Sequence, residues 1–264
     1  MAAKPFMGFI VIKPRINFQN IDEFHFLKNI NHISYKSLEG DMMAIGTGAY
    51  NLQEAARYTG IKATSIARWL FSENPLWTHQ LSESGWRGIG FYDLLELRIV
   101  QRFKSKGVSL QAIRLAIKNA KELYGGDYPL INKRFHTDGK NIFSEAIGKT
   151  GDSIDALLDL KKRQLVLDDI IRPSLDKGIV YAPNSDNVIL WYPDRRLYRG
   201  VVLDPKRSFG KPIIDSVGIK TSTLYGTFLA EEDKRTVAKI YDVPISAVNA
   251  AIKYEEGLDN RIAA

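Results

Sequence analysis

The chain has 264 residues, 45% hydrophobic and 25% charged, with 37 Lys and Arg against 30 Asp and Glu and a net charge of +7. That length predicts about two domains, and the composition excludes wholesale disorder. There is no cysteine, which removes disulfides, thiolate zinc sites, iron–sulfur clusters and cysteine nucleophiles together and fits a reducing cytoplasm.

Residues 1–46 read as an N-terminal extension. The run FMGFIVI at 6–12 is too short for a membrane span and lacks a cleavage pattern, so it reads as a buried strand and not as a signal peptide. Gly46 and Gly48 have Asn51 where a dinucleotide loop needs a third glycine. Residues 47–145 hold 14 basic and nine acidic side chains and thus most of the positive excess; any contact with a phosphate backbone belongs there. Within them, Asn51 is placed to cap a helix, with Glu54 completing a capping box. That helix, LQEAARYT, stops at Gly60. A second short helix covers 63–71, and Pro75 breaks the chain. A turn at SESGWRG precedes a long helix from about 92 to 106. Gly107 ends it, Ser109 caps LQAIRLAIKNAKELY, and Gly125 and Gly126 close that helix.

Residues 127–150 read as irregular, with a short strand at NIFSEAI. Residues 146–203 form a connector. It holds a helix at 153–171, stopped by Pro173, then a hairpin of GIVYA and VILWY around PNSDN, and a third strand in LYRGVVL. The turn-rich PKRSFGKP opens a C-terminal segment, 204–264, with helices at 231–241 and 246–256. The expected fold is mainly α with a small β element.

The segment 52–69 has the spacing of a helix-turn-helix. Counting from Leu52, Ala56 is the small residue at position five, where the helices touch. Gly60 is the turn at nine; Ile61, Ile66 and Trp69 are apolar at ten, fifteen and eighteen. An αα-hairpin without DNA needs the same contact and turn. The second helix tips the reading toward DNA, because its non-core positions are Lys62, Thr64, Ser65 and Arg68, side chains that reach base edges and phosphates. The stretch from Lys62 to Trp69 is expected to enter a major groove, with Arg87 touching the backbone from the turn that follows.

Residues 50–145 resemble the MerR-type winged helix-turn-helix. NLQEAARYTGIKATSIARWL matches its opening, and GIGFYDLLELRIVQRFKSKGVSLQAIRLAI matches the passage from wing to helix, glycine and helix. The chain lacks that family's metal-sensing cysteines and the long coiled-coil helix after residue 124. Residues 204–256 resemble domain-of-unknown-function family 433 through Asp-Pro, Phe-Gly-Lys-Pro and Tyr-Asp-Val-Pro. This tail also aligns without gaps to the first helix-turn-helix: Ala238, Val243, Val248 and Ala251 fall at positions five, ten, fifteen and eighteen, with Asp242 in place of the turn glycine. Pro244, Ser246, Ala247 and Ala250 replace the cationic face, which suits protein contact better than phosphate. A second, smaller helix-turn-helix-like domain is therefore expected.

The order of the two motifs resembles that of VapB-type antitoxins. The resemblance implies a cytoplasmic antitoxin that binds operator DNA as a homodimer, represses its own transcription and neutralises a PIN-like ribonuclease toxin. The alternative is a stand-alone MerR-like regulator without a toxin. No enzyme activity, cofactor, metal or membrane is expected. His25, His32, His79 and His136 show no metal-ligand spacing, and no P-loop or G-x-S-x-G is present.

Overall fold

The structure, a computed structural model, describes residues 46–150 and 178–263, all of which fall in one unit, Lys36–Ala264. The strand expected near residues 8–12 and the helix expected at 153–171 lie outside the described residues. The fold is mainly α with small antiparallel strand pairs, as the sequence predicts.

Strand β1, Tyr50–Asn51, leads straight into α1, Leu52–Thr59. The Asn51 side chain accepts from the backbone N–H groups of Gln53 and Glu54, and the Glu54 carboxylate accepts from Asn51 N–H, all at 2.9 Å. This capping box fixes the start of the helix. Gly60, at φ +75°, closes it and turns the chain into α2, Ala63–Leu70. A Cβ on Gly60 would meet nothing, so the glycine is there for its left-handed backbone and not for space. Ile61, Ile66, Trp69 and Leu70 fill the angle between the helices.

Strand β2, Gly88–Ile89, pairs antiparallel with β1, Tyr50 opposite Ile89 and Asn51 opposite Gly88. The segment between α2 and β2 is the wing. It is held by the buried Asp93, which accepts from Trp77 Nε1 at 2.8 Å, Gln80 N–H at 2.9 Å and Gly90 N–H at 2.8 Å. Helix α3, Phe91–Ser105, is buried on nearly every side, as the wide apolar spread of its sequence requires. Ser109 caps α4, Leu110–Tyr124.

The strand expected at NIFSEAI is instead part of a helix, α5, Phe135–Thr150. Two pairs, Ile142 with Ala146 and Phe143 with Ile147, recur at the helical spacing of four residues, and all four side chains are buried. The Phe143 ring stacks on Phe103 of α3 with centroids 3.7 Å apart. Tertiary packing against α3 and α4 decided the outcome where a short window was ambiguous.

The hairpin forms as expected: β3, Ile179–Tyr181, pairs with β4, Val188–Trp191. The third strand shortens to β5, Val201–Val202, paired with β6, Ile213–Ile214. Three helices follow: α6, Thr221–Glu231, which sequence reading missed, then α7, Lys234–Ile240, and α8, Ile245–Ala263. The last two repeat the geometry of α1 and α2. Asp233 caps α7 as Asn51 caps α1, each accepting from the second and third N–H groups that follow. Nine residues after each cap stands the left-handed turn residue, Gly60 at φ +75° and Asp242 at φ +52°. Val237, Val248 and Ala251 supply the small core of this second unit.

Candidate nucleic-acid interface

Helix α2 has two unlike faces. Ile66, Trp69 and Leu70 are buried beneath it, while Lys62, Thr64 and Arg68 are exposed and Ser65 is half-buried. Lys62 stands at the N-cap without a side-chain cap bond, so no capping side chain occupies the start of the helix beside this exposed cation. An uncapped helix start with an adjacent ammonium is suited to an anion. Two turns of exposed Lys, Thr and Arg on a helix backed by a rigid core have the chemistry to enter a groove.

Trp69 is corrected. It is only 6% exposed and packs with Ile66 one turn before it, inside the angle of the two helices. An indole so placed cannot reach DNA; its role is to hold α2 outward.

Arg87 lies at the exposed end of the wing, its guanidinium 5.9 Å from the Phe71 ring just after α2. The β1–β2 pairing sets Gly88 opposite the α1 cap Asn51, so wing and helix starts share one rigid base. Trp86, which sequence reading did not select, is 41% exposed. Its ring lies over Gly88, where an added Cβ would sit 2.0 Å from the nearest ring carbon. Gly88 is thus the signal in the sequence: any side chain there would push the indole from its place over the ribbon.

The C-terminal unit touches this head at α1 and the strand before it. Arg57 bridges Glu255 at 2.6 Å and Asp259 at 2.8 Å, both on α8, and Glu255 is 2% exposed. Glu255 also accepts from the Thr221 hydroxyl. Tyr50 donates to the Gly210 carbonyl at 2.7 Å, and Lys211 pairs with Glu54. None of these contacts covers Lys62, Thr64 or Arg68.

Among the described residues there is no cluster of three potential metal ligands, and no helix is long and apolar enough to cross a membrane. His79 is half-buried against Phe71, with ring centroids 4.5 Å apart, and its burial holds it below the usual histidine range.

Residues 50–120 match the family model described as MerR HTH family regulatory protein. This segment therefore carries the helix-turn-helix of a DNA-binding regulator. The chain is 24% identical over 217 residues to a Mycobacterium tuberculosis protein named "Putative antitoxin VapB45", covering 74% of this chain and 88% of the relative. Its fold is similar to the crystal structure of Rv2018 from Mycobacterium tuberculosis, at a TM-score of 0.59 and 22% identity, over 77% of this chain and 96% of that one.

Proposed function

We propose that the chain is an antitoxin of the VapB type that binds its own operator and represses transcription from it. Residues 47–145 are the DNA-binding domain and 204–264 the protein-binding one, joined by 146–203. Lys62, Thr64, Ser65 and Arg68 read a major groove, and Arg87 contacts phosphate from the wing. The observation that carries this reading is the two-faced α2: its core side is fully used, and its other side presents Lys62, Thr64 and Arg68 to solvent.

The partner is a PIN-like ribonuclease toxin, on the strength of the likeness to an antitoxin and of the family-433 resemblance. The second helix-turn-helix supports protein contact. Pro244 and Ser246 are exposed on its outer face and Ala250 is half-buried, whereas Ala247, expected on the same face, is buried at 4%; Ile240 and Ile245, on either side of its turn, are 54% and 43% exposed. Exposed apolar side chains on a folded surface mark contact sites. A homodimer would place two α2 helices on a palindrome with half-sites one helical turn apart.

The test is a pull-down of the neighbouring gene product followed by a gel shift of chain and complex on the upstream intergenic DNA. Binding to both supports the antitoxin reading. Binding to DNA without co-purification leaves a stand-alone regulator. No retardation of the DNA removes the DNA-binding reading.

A further inference from the structure

The stretch 205–212, PKRSFGKP, packs on the head through Gly210 and Lys211 but is not part of the α2 face or the wing. Ser208, Phe209 and Gly210 are consecutive left-handed residues, at φ +48°, +54° and +77°. Glycine adopts this conformation freely, but Ser and Phe do so against a clash of Cβ with the backbone. Burial does not offset that strain at Phe209, whose side chain is 48% exposed. The surroundings impose it. Gly210 N–H donates to the Arg207 carbonyl at 2.9 Å and Lys211 N–H to the Ser208 carbonyl at 3.1 Å. Arg207 is tied to Asp215 at 2.5 Å and to Asp204 at 3.0 Å. A phenyl ring left 48% exposed on a strained loop points to an external contact.

The neighbours indicate which contact. Ala49 N–H donates to the Phe209 carbonyl at 3.0 Å, so the loop lies along the approach to β1. With strands about 4.8 Å apart, Phe209 is within roughly 10 Å of the β2 strand that ends the wing. Lys211 anchors the loop on Glu54, in the first turn of α1, and the first helix of a docked helix-turn-helix crosses the phosphate backbone. The nearby carboxylates of Glu54, Asp204 and Asp215 are each engaged by Lys211 or Arg207. Lys206 is exposed, as are Arg87 and Trp86 of the wing. Exposed cations interleaved with exposed aromatic rings suit phosphates and the sugar and base edges between them.

We propose that residues 206–211 form a second DNA-contacting element, in which Phe209 makes an apolar contact with the sugar and base edges flanking the α2 site and Lys206 meets a phosphate. The inference rests on the reading that the chain binds its operator through α2.

The experiment is fluorescence anisotropy of the full-length chain on the duplex upstream of its own gene, over a salt series. Wild type is compared with Phe209→Asn, Lys206→Ala and Lys62→Ala. Asn tolerates the left-handed backbone, so Phe209→Asn keeps the melting temperature and loses about tenfold in affinity. Lys206→Ala lowers the log–log salt slope by about one. Wild-type affinity and slope in both loop variants, with Lys62→Ala impaired, overturns this inference and leaves the α2 reading intact. Failure of the wild type to bind sinks both. Normal DNA binding by Phe209→Asn with loss of the co-purified neighbouring gene product also overturns it and assigns the loop to a protein partner.

Discussion

At the scale of single residues, the two kinds of charged group in the head behave oppositely. Lys62 and Arg68 are exposed, so truncating them should leave the fold alone and, on the proposed reading, weaken DNA binding. Arg68→Ala costs roughly 1–3 kcal/mol on the cognate operator if it reads a base, with relaxed specificity at one position. Lys62→Ala weakens all sequences alike and lowers the salt slope by about one; competition titrations with cognate and scrambled duplex separate the two. Glu96 is the reverse case. It is 1% exposed, and its Oε1 accepts from the N–H groups of Leu130 and Ile131 at 2.8 and 3.1 Å. Its Oε2 has no partner among the described residues. Burial pushes its carboxyl up to about 8, against the pull of those two N–H groups. The folded state therefore holds a proton that the unfolded chain releases near its ordinary value. Stability is highest at low pH on this account and falls as pH rises from about 4.5 to about 8, by a few kcal/mol at most. Glu96→Gln keeps the acceptor oxygen and removes the titration. Its melting temperature should exceed that of wild type near pH 8 and match it at about pH 5; parallel curves across that range would remove Glu96 as the cause.

At the scale of elements, the joint between α1 and α8 rests on one nearly buried carboxylate. Glu255 is 2% exposed and Arg57 is 27% exposed. Arg57→Met strands that charge and should cost about 3 kcal/mol, whereas the half-exposed Asp259 adds little. Adding Glu255→Gln should restore most of the loss, and a double-mutant cycle by urea unfolding measures the coupling. Helix α1, its cap, Gly60 and α2 were legible because their determinants sit within about twenty contiguous residues. The Arg57–Glu255 joint was not, since its partners are 198 residues apart and nothing local marks them. Helix α6 was missed for a different reason: it opens on Thr221, Ser222 and Thr223 and carries Gly226 in its middle, weak helix formers that hold their place through tertiary packing and not through local propensity. Trp69 shows a subtler limit. It sits among the right neighbours in sequence, yet about one third of a turn separates a groove-facing residue from a core one.

At the scale of the whole molecule, one chain carries two helix-turn-helix units of like geometry and unlike surface. The first exposes Lys62, Thr64 and Arg68; the second exposes Ile240 and Ile245 beside an uncharged helix start. The turn positions differ as well, glycine at 60 and the less favoured left-handed aspartate at 242. Shape is thus repeated while chemistry is not, which fits one unit facing phosphate and the other facing protein. If the second unit joins two copies, DNA affinity depends on it without its touching DNA, because two linked half-site contacts bind far more tightly than one. Ile240→Glu with Ile245→Glu places charge on two positions that are already exposed, so the fold should tolerate it. Light scattering should then report a monomer, and the operator salt slope should fall to about half the wild-type value, since half as many phosphates are neutralised per bound unit. A monomer with an unchanged slope would show that the two α2 helices do not act together on one operator. An unchanged dimer would place the self-contact elsewhere on the chain.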